Sequence, residues 1–193
     1  MVVNQRSPMK SSERLFFIAL LPPVEIQNEV TEIKQYFVEN YNSRHALKSP
    51  PHVTLQPPFK WSTEKVDLLE ECLTEFSQSF FAIPIILSGF GAFPPRVIYV
   101  NVIKTPELLG IQKALMSHLE ITLNIVDEVS KRRPFSPHMT VAFKDLTRKN
   151  FRTAWPEFEQ KSLEYKFTVP RLTLLVHNGQ RWNIKAEFPF LEA

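Results

Sequence analysis

The sequence predicts an α+β fold of two similar lobes, related by a pseudo-twofold and facing one another across a central cleft. Three observations predict it. An apolar run over residues 14–21 is followed by an amphipathic stretch, and the same succession returns from residue 96 onward. Each succession leads to the same short motif, Pro51-His52-Val53-Thr54 and then Pro137-His138-Met139-Thr140. Paired prolines at 22–23, 50–51, 57–58 and 94–95 punctuate the chain as rigid turns between elements do. Antiparallel sheets are expected to line the cleft, with helices on the outside.

Taken in order, Arg14 to Leu21 is continuous enough for a buried strand, closed by Pro22-Pro23. Ile26, Val30, Ile33 and Phe37 then recur at helical spacing among Glu25, Glu29, Glu32 and Lys34, and Pro23 suits the first turn of that helix. A polar loop through Asn42-Ser43 reaches the first histidine motif. Ser62-Thr63 offers an N-cap and Glu64 a first-turn acid for a second helix, with Val66, Leu69, Leu73 and Phe76 as its buried stripe. Phe81 to Leu87 reads as a strand and Ser88 to Pro95 as a turn region. Arg96 to Ile103 reads as the strand that opens the second half. Pro106 begins a helix with Leu108, Ile111, Leu115 and Leu119 on one face. A basic loop, Lys131-Arg132-Arg133, leads into the second motif. Two strands close the chain, Tyr165 to Val176 and Arg181 to Phe188, joined at Asn178-Gly179. Residues 1–193 are expected to form one domain, with lobes at about 14–95 and 96–190.

A chain of 193 residues can bury one sizeable core, or two small lobes sharing one. With 44% hydrophobic and 22% charged residues it reads as globular. One cysteine, Cys72, leaves no internal disulfide and no Cys-rich zinc site, which fits a reducing compartment. Met1 to Glu13 is polar, without the apolar centre of a signal peptide, and the run Leu15 to Leu21 is too short to span a bilayer. A cytoplasmic location and no membrane association are the expectation. The net charge of +3 accommodates an anionic substrate without marking a nucleic-acid binder.

The paired motif carries the chemistry. Side chains alternate along a strand, so His52 and Thr54 share one face while Val53 and Leu55 point into the core. His138 and Thr140 share a face in the same way, with Met139 and Val141 behind. Two such strands related by a pseudo-twofold bring two imidazoles and two hydroxyls to one small volume. Imidazole titrates near pH 6.5, so one neutral and one protonated ring can work together at neutral pH. The first takes a proton from the attacking group and the second gives one to the leaving oxygen, each role contributing about 10²–10⁴-fold. Thr54 and Thr140 can donate to non-bridging phosphate oxygens. Nothing in this scheme calls for a metal or any other cofactor.

The two His-x-Thr motifs resemble those that define the 2H phosphoesterase superfamily, in particular its 2′-5′ RNA ligase and 2′,3′-cyclic phosphodiesterase group. The resemblance covers nearly the whole chain. Arg14-Leu15-Phe16-Phe17-Ile18-Ala19-Leu20-Leu21-Pro22 is similar to the family's opening strand. Gly89-Phe90-Gly91-Ala92-Phe93-Pro94-Pro95-Arg96-Val97-Ile98-Tyr99-Val100 is similar to its central segment, and Phe135-Ser136-Pro137-His138-Met139-Thr140 to its second motif. It implies a bilobal antiparallel fold with the active site in the cleft. It also implies substrates such as RNA 2′,3′-cyclic phosphate ends, 2′-5′ linked RNA or small nucleotide cyclic phosphates. The chain departs from the ligase branch after each motif, with Gln56-Pro57-Pro58-Phe59 and Val141-Ala142-Phe143-Lys144. The expected partner is an RNA end or a small nucleotide, taken up by a monomer with no obligate protein partner.

Other residues weigh less. Arg96 stands at the family's Phe-Pro-Arg position, where it meets substrate or is a surface arginine at a strand start. Phe59, Phe93, Phe135 and Phe143 flank the motifs as possible base-stacking faces, with core packing the plainer reading. The Lys131 to Arg133 run reads as a solvated loop. His45, His118 and His177 lack a partner motif; His118 falls within a helix and His177 beside a turn. Cys72 lies beside a buried stripe and reads as packing. The rival to a phosphoesterase is a module that holds a nucleotide or RNA end in the same cleft without turnover.

Overall fold

The computed structural model describes residues 12–192, so most of the polar segment Met1 to Glu13 lies outside the described residues. The opening apolar run forms β1 (Glu13–Leu20), followed by α1 (Val24–Tyr41), a short 3-10 turn (His45–Lys48) and β2 (Val53–Ser62). Then come α2 (Val66–Ser77), β3 (Ile83–Phe93), β4 (Val97–Val102), α3 (Pro106–Leu123), the short α4 (Glu128–Arg132) and β5 (His138–Ala142). The chain ends with α5 (Arg148–Glu159), β6 (Glu164–Val169), β7 (Arg171–His177) and β8 (Trp182–Pro189). The strands form two four-stranded antiparallel sheets, ordered β2-β1-β7-β8 and β5-β4-β3-β6. The fold is α+β, as expected.

β1 reads as an unbroken apolar run because both of its faces are covered. Phe16, Ile18 and Leu20 join the main core beneath the helices, while Phe17 and Ala19 pack with Leu21 and Leu175 on the opposite side. That opposite side is where β1 meets the cleft.

The sheets do not divide at residues 95/96. β3 belongs to the second sheet, and β7 and β8 complete the first. The expected turn over Ser88 to Pro95 shrinks to a tight reversal at Pro94-Pro95, closed by the Arg96 amide donating to the Phe93 carbonyl at 3.4 Å. A tight turn makes sequential strands neighbours, so β3 pairs with β4. Gly89, at φ +63°, absorbs a bulge between Leu87 and Phe90 and lets the strand run on through what looked like a turn. The closing run from Tyr165 likewise breaks at Pro170, which has no N–H for the ladder. β6 goes to the second sheet and β7 to the first.

Helices cross over in the same manner. α2 covers the first sheet, against β7 and β8, while α3 lies against both β2 of the first sheet and β3 of the second. α1 and α5 cover the second, against β5, β3 and β4. The α1–α5 seam holds Phe37 against Phe158 at 4.6 Å, and the Tyr36 hydroxyl donates to the Glu157 carboxylate at 3.1 Å. α5 has no counterpart in the expected elements. Its interior Pro156 and polar surface hid a stripe of Phe151, Ala154 and Phe158, all buried, capped by Thr147. The basic run is not a free loop either: Lys131 and Arg132 end α4, and Lys131 pairs with Glu120 at 2.6 Å.

Candidate active site

β2 and β5 are edge strands of their respective sheets, and they touch one another. This contact brings the two Pro-His-x-Thr motifs together, although His138 itself is not among the residues that line the cleft. Val53, Leu55, Met139 and Val141 are buried behind it, as strand alternation predicts. Thr54 and Thr140 both line a cleft of about 540 Å³, with His52 among its walls.

The two histidines are held alike. His52 Nδ1 lies 2.7 Å from the carbonyl oxygen of Pro50, and His138 Nδ1 lies 2.7 Å from that of Ser136. A carbonyl oxygen only accepts, so each Nδ1 carries a proton and donates. In the neutral ring that leaves Nε2 as the free lone pair. The His52 ring packs on Phe17 at 4.7 Å, and the His138 ring packs against both Phe93 and Tyr99, each at 5.1 Å.

Burial is the main cause that pushes the His52 imidazole down from 6.5 to about 4; its carbonyl bond opposes this, and the charges of Lys34 and His138 add to it. His138 is also lowered by burial, again against its carbonyl bond.

A carboxylate braces the site from behind. Asp145, just past β5, accepts from the Ser43 hydroxyl at 2.8 Å and from the backbone amides of Arg44 and His45 at 2.9 Å each. It ties the turn ahead of the first motif to the end of the second.

The remaining expected residues separate. Phe143 lines the cleft, edge-on to His45 at 4.9 Å. Phe59 and Phe135 lie partly buried against the main core. Arg96 is exposed at the β3–β4 turn, near Phe93 rather than among the residues lining the cleft. His118 is a helix residue, as expected, with Nε2 3.3 Å from the Cys72 carbonyl oxygen, and Cys72 is buried. The cleft also recruits residues that the sequence did not single out as a group: His45, Lys48, Lys144, His177, Trp182 and Phe17. Trp182 stands edge-on to Phe17 at 4.6 Å and packs on His177 at 4.9 Å. Their common signal was only a position beside a turn or motif.

The model of the 2′-5′ RNA ligase superfamily matches residues 22–181, which span both motifs. The chain belongs to this superfamily. A protein of Geobacillus sp. (strain WCH70) that bears the name phosphoesterase is 27% identical over 175 residues, covering 89% of this chain and 93% of its own. Another so named, from Bacillus licheniformis, is 30% identical over 129 residues, 66% of this chain and 69% of its own. Among solved structures, E. coli LigT complexed with 3′-AMP has a TM-score of 0.66 at 18% identity, covering 94% of this chain and 100% of its own. A Thermus thermophilus protein gives 0.61 at 17% identity over 91% of this chain and 97% of its own. At such identities the structural likeness is one of fold. Membership in the superfamily supports a phosphoesterase. No helix among the described residues is long and apolar enough to cross a membrane.

Proposed function

We propose that this protein opens cyclic phosphodiesters, RNA 2′,3′-cyclic phosphate ends or small nucleotide cyclic phosphates, by metal-independent acid–base catalysis with His52 and His138. The observation that carries this is the mirrored pair: each ring donates Nδ1 to a carbonyl two residues before it and has a threonine two residues after it, on strands that touch. Relatives named phosphoesterases and a LigT fold seen with 3′-AMP support a nucleotide phosphate as substrate.

His52, the more strongly depressed of the two, suits the base. Its Nε2 takes a proton from water as the water oxygen bonds to phosphorus. One ring P–O ester bond breaks, and His138 Nε2 gives its proton to the leaving ribose oxygen. The product is a phosphomonoester beside a free hydroxyl. Thr54 and Thr140 donate to the non-bridging oxygens as charge gathers there. With an RNA hydroxyl in place of water, the same two transfers yield a phosphodiester, which is the ligase form of the reaction.

The test is cleavage of an RNA oligonucleotide ending in a 2′,3′-cyclic phosphate, in excess EDTA, by wild type, His52→Ala and His138→Ala. Each variant loses roughly 10²-fold or more, and the double variant loses little beyond either single one. Folded wild type that binds nucleotide yet turns over neither RNA ends nor small cyclic nucleotides would sink catalysis and leave a binding module.

The pH profile follows from the two shifts. The base must be neutral, so kcat/KM falls as pH drops through about 4. The acid must be protonated, and burial places its limb below 6.5, so kcat/KM falls again on the way to neutrality. Bound phosphate favours the imidazolium, so the basic limb of kcat lies higher than that of kcat/KM. A profile with a single limb from pH 3 to 9 contradicts the scheme.

A further inference from the structure

We propose that the cleft continues past Trp182 into a second-phosphate subsite, built by Lys34, Lys48 and Arg181, that selects substrates carrying a phosphate beyond the reacting one. This rests on the phosphoesterase reading of the main cleft. An alcove of about 260 Å³ adjoins that cleft and shares Lys48, Ser49 and Trp182 with it. Its other walls include Thr31 and Lys34 on α1, and Arg181 and Asn183 at the start of β8.

Charge gives the alcove its specificity. The chain holds 20 Asp and Glu, yet none of them lines either cavity among the described residues. Ion pairs among the described residues engage Lys131, Lys161, Arg171 and Lys185, and none engages the three cations of the alcove. Lys34 is the decisive one. It is 2% exposed, and its ammonium donates to the Ser49 carbonyl oxygen at 3.0 Å, one neutral acceptor for a group with three N–H donors. A buried ammonium without an anion is costly, and a phosphate in the alcove supplies that anion. Burial holds Lys34 down at about 7, which an anion would reverse. Lys48 and Arg181 are exposed at the rim, and Thr31 and Asn183 offer a hydroxyl and an amide. Position agrees with this: the alcove shares Lys48, Ser49 and Trp182 with the cleft that His52 lines, so it opens beside the reacting phosphate.

Calorimetric titration of the full chain with adenosine 3′-monophosphate and adenosine 3′,5′-bisphosphate tests this. Wild type binds the bisphosphate about tenfold more tightly or better, and added salt narrows the gap. Arg181→Gln, which removes a rim cation, and Thr31→Glu, which puts a carboxylate into the alcove, both lie on the exposed surface. Each cuts the preference several-fold and leaves affinity for the monophosphate and opening of a mononucleoside cyclic phosphate as in wild type. Equal affinity for the two ligands, or a preference that neither substitution moves, overturns the subsite. The two readings fail separately. Wild type that opens cyclic nucleotides without preferring the bisphosphate loses only the subsite. A preference without turnover loses only the catalysis.

Discussion

Lys34 takes a charge into a place where burial opposes it. Its pKa stands near 7 in the folded chain against 10.5 for an ordinary lysine. Between those values the unfolded chain binds more protons than the folded one, so stability rises with pH across that window and is lowest below it. Replacing a buried ion pair with apolar side chains of similar volume is often neutral or stabilising by about 1–4 kcal/mol, and a buried lysine without a partner anion has less attraction to lose. Lys34→Met is therefore expected to raise stability by that order at pH 6. The gain shrinks as pH climbs toward 10, because the native lysine then folds uncharged. Urea unfolding at pH 6 and pH 9 measures it. A variant that is less stable at pH 6 would show that the Ser49 bond outweighs the burial. A stabilised variant with weaker bisphosphate binding would show a charge retained for ligand at the expense of fold, a common trade at functional sites.

At the scale of elements, the β3–β4 pair is where fold and site meet. Gly91 stands opposite Tyr99, whose ring packs against His138. A Cβ at position 91 would lie 2.4 to 2.7 Å from the Tyr99 ring and hydroxyl. Gly91→Ala therefore displaces Tyr99, and with it one wall of the His138 ring. Small misplacements of catalytic groups cost up to about 10²-fold, so kcat should fall by roughly that order with KM little changed. Wild-type kcat in this variant would show that Tyr99 does not position the histidine. The elements also show what was legible beforehand. Alternation put His52 with Thr54 and His138 with Thr140 on one face because a strand's period is strictly two. The stripes of α1, α2 and α3 were plain because their apolar residues recur without a break. α5 was hidden by Pro156, because an interior proline lacks the helix N–H and reads as a helix end. β3 was cut short at Gly89 because a glycine that permits a bulge looks the same in sequence as one that permits a turn. His45, Lys48, His177 and Trp182 meet only once β2, β1, β7 and β8 lie side by side. Periodicity carries no information about such pairing.

Across the whole molecule, each half of the chain lends parts to the other. α1 covers β5, α3 covers β2, β3 sits beside β4, and β7 sits beside β1. A cut after Pro95 would leave the first sheet with β1 and β2 only, and would strip α1 of the surface it covers. Ile26, Val30 and Phe37 are buried there, and fully burying such side chains is worth roughly 1.5–3 kcal/mol each. Losing that stripe alone would consume much of the roughly 5–15 kcal/mol that holds a typical domain together. The Tyr36–Glu157 and Ser43–Asp145 hydrogen bonds would go with it. The halves are thus expected to unfold as one unit. Scanning calorimetry of the full chain should give a single transition with equal calorimetric and van't Hoff enthalpies. Fragments ending at Pro95 and beginning at Arg96 should each be unstructured alone and regain the sheets, and the cleft, only when mixed. Two resolved transitions, or a first fragment that folds unaided, would mean that the lobes are independent. The separation of His52 from His138 would then vary with lobe motion instead of being set by the crossed elements that bind β2 to β5.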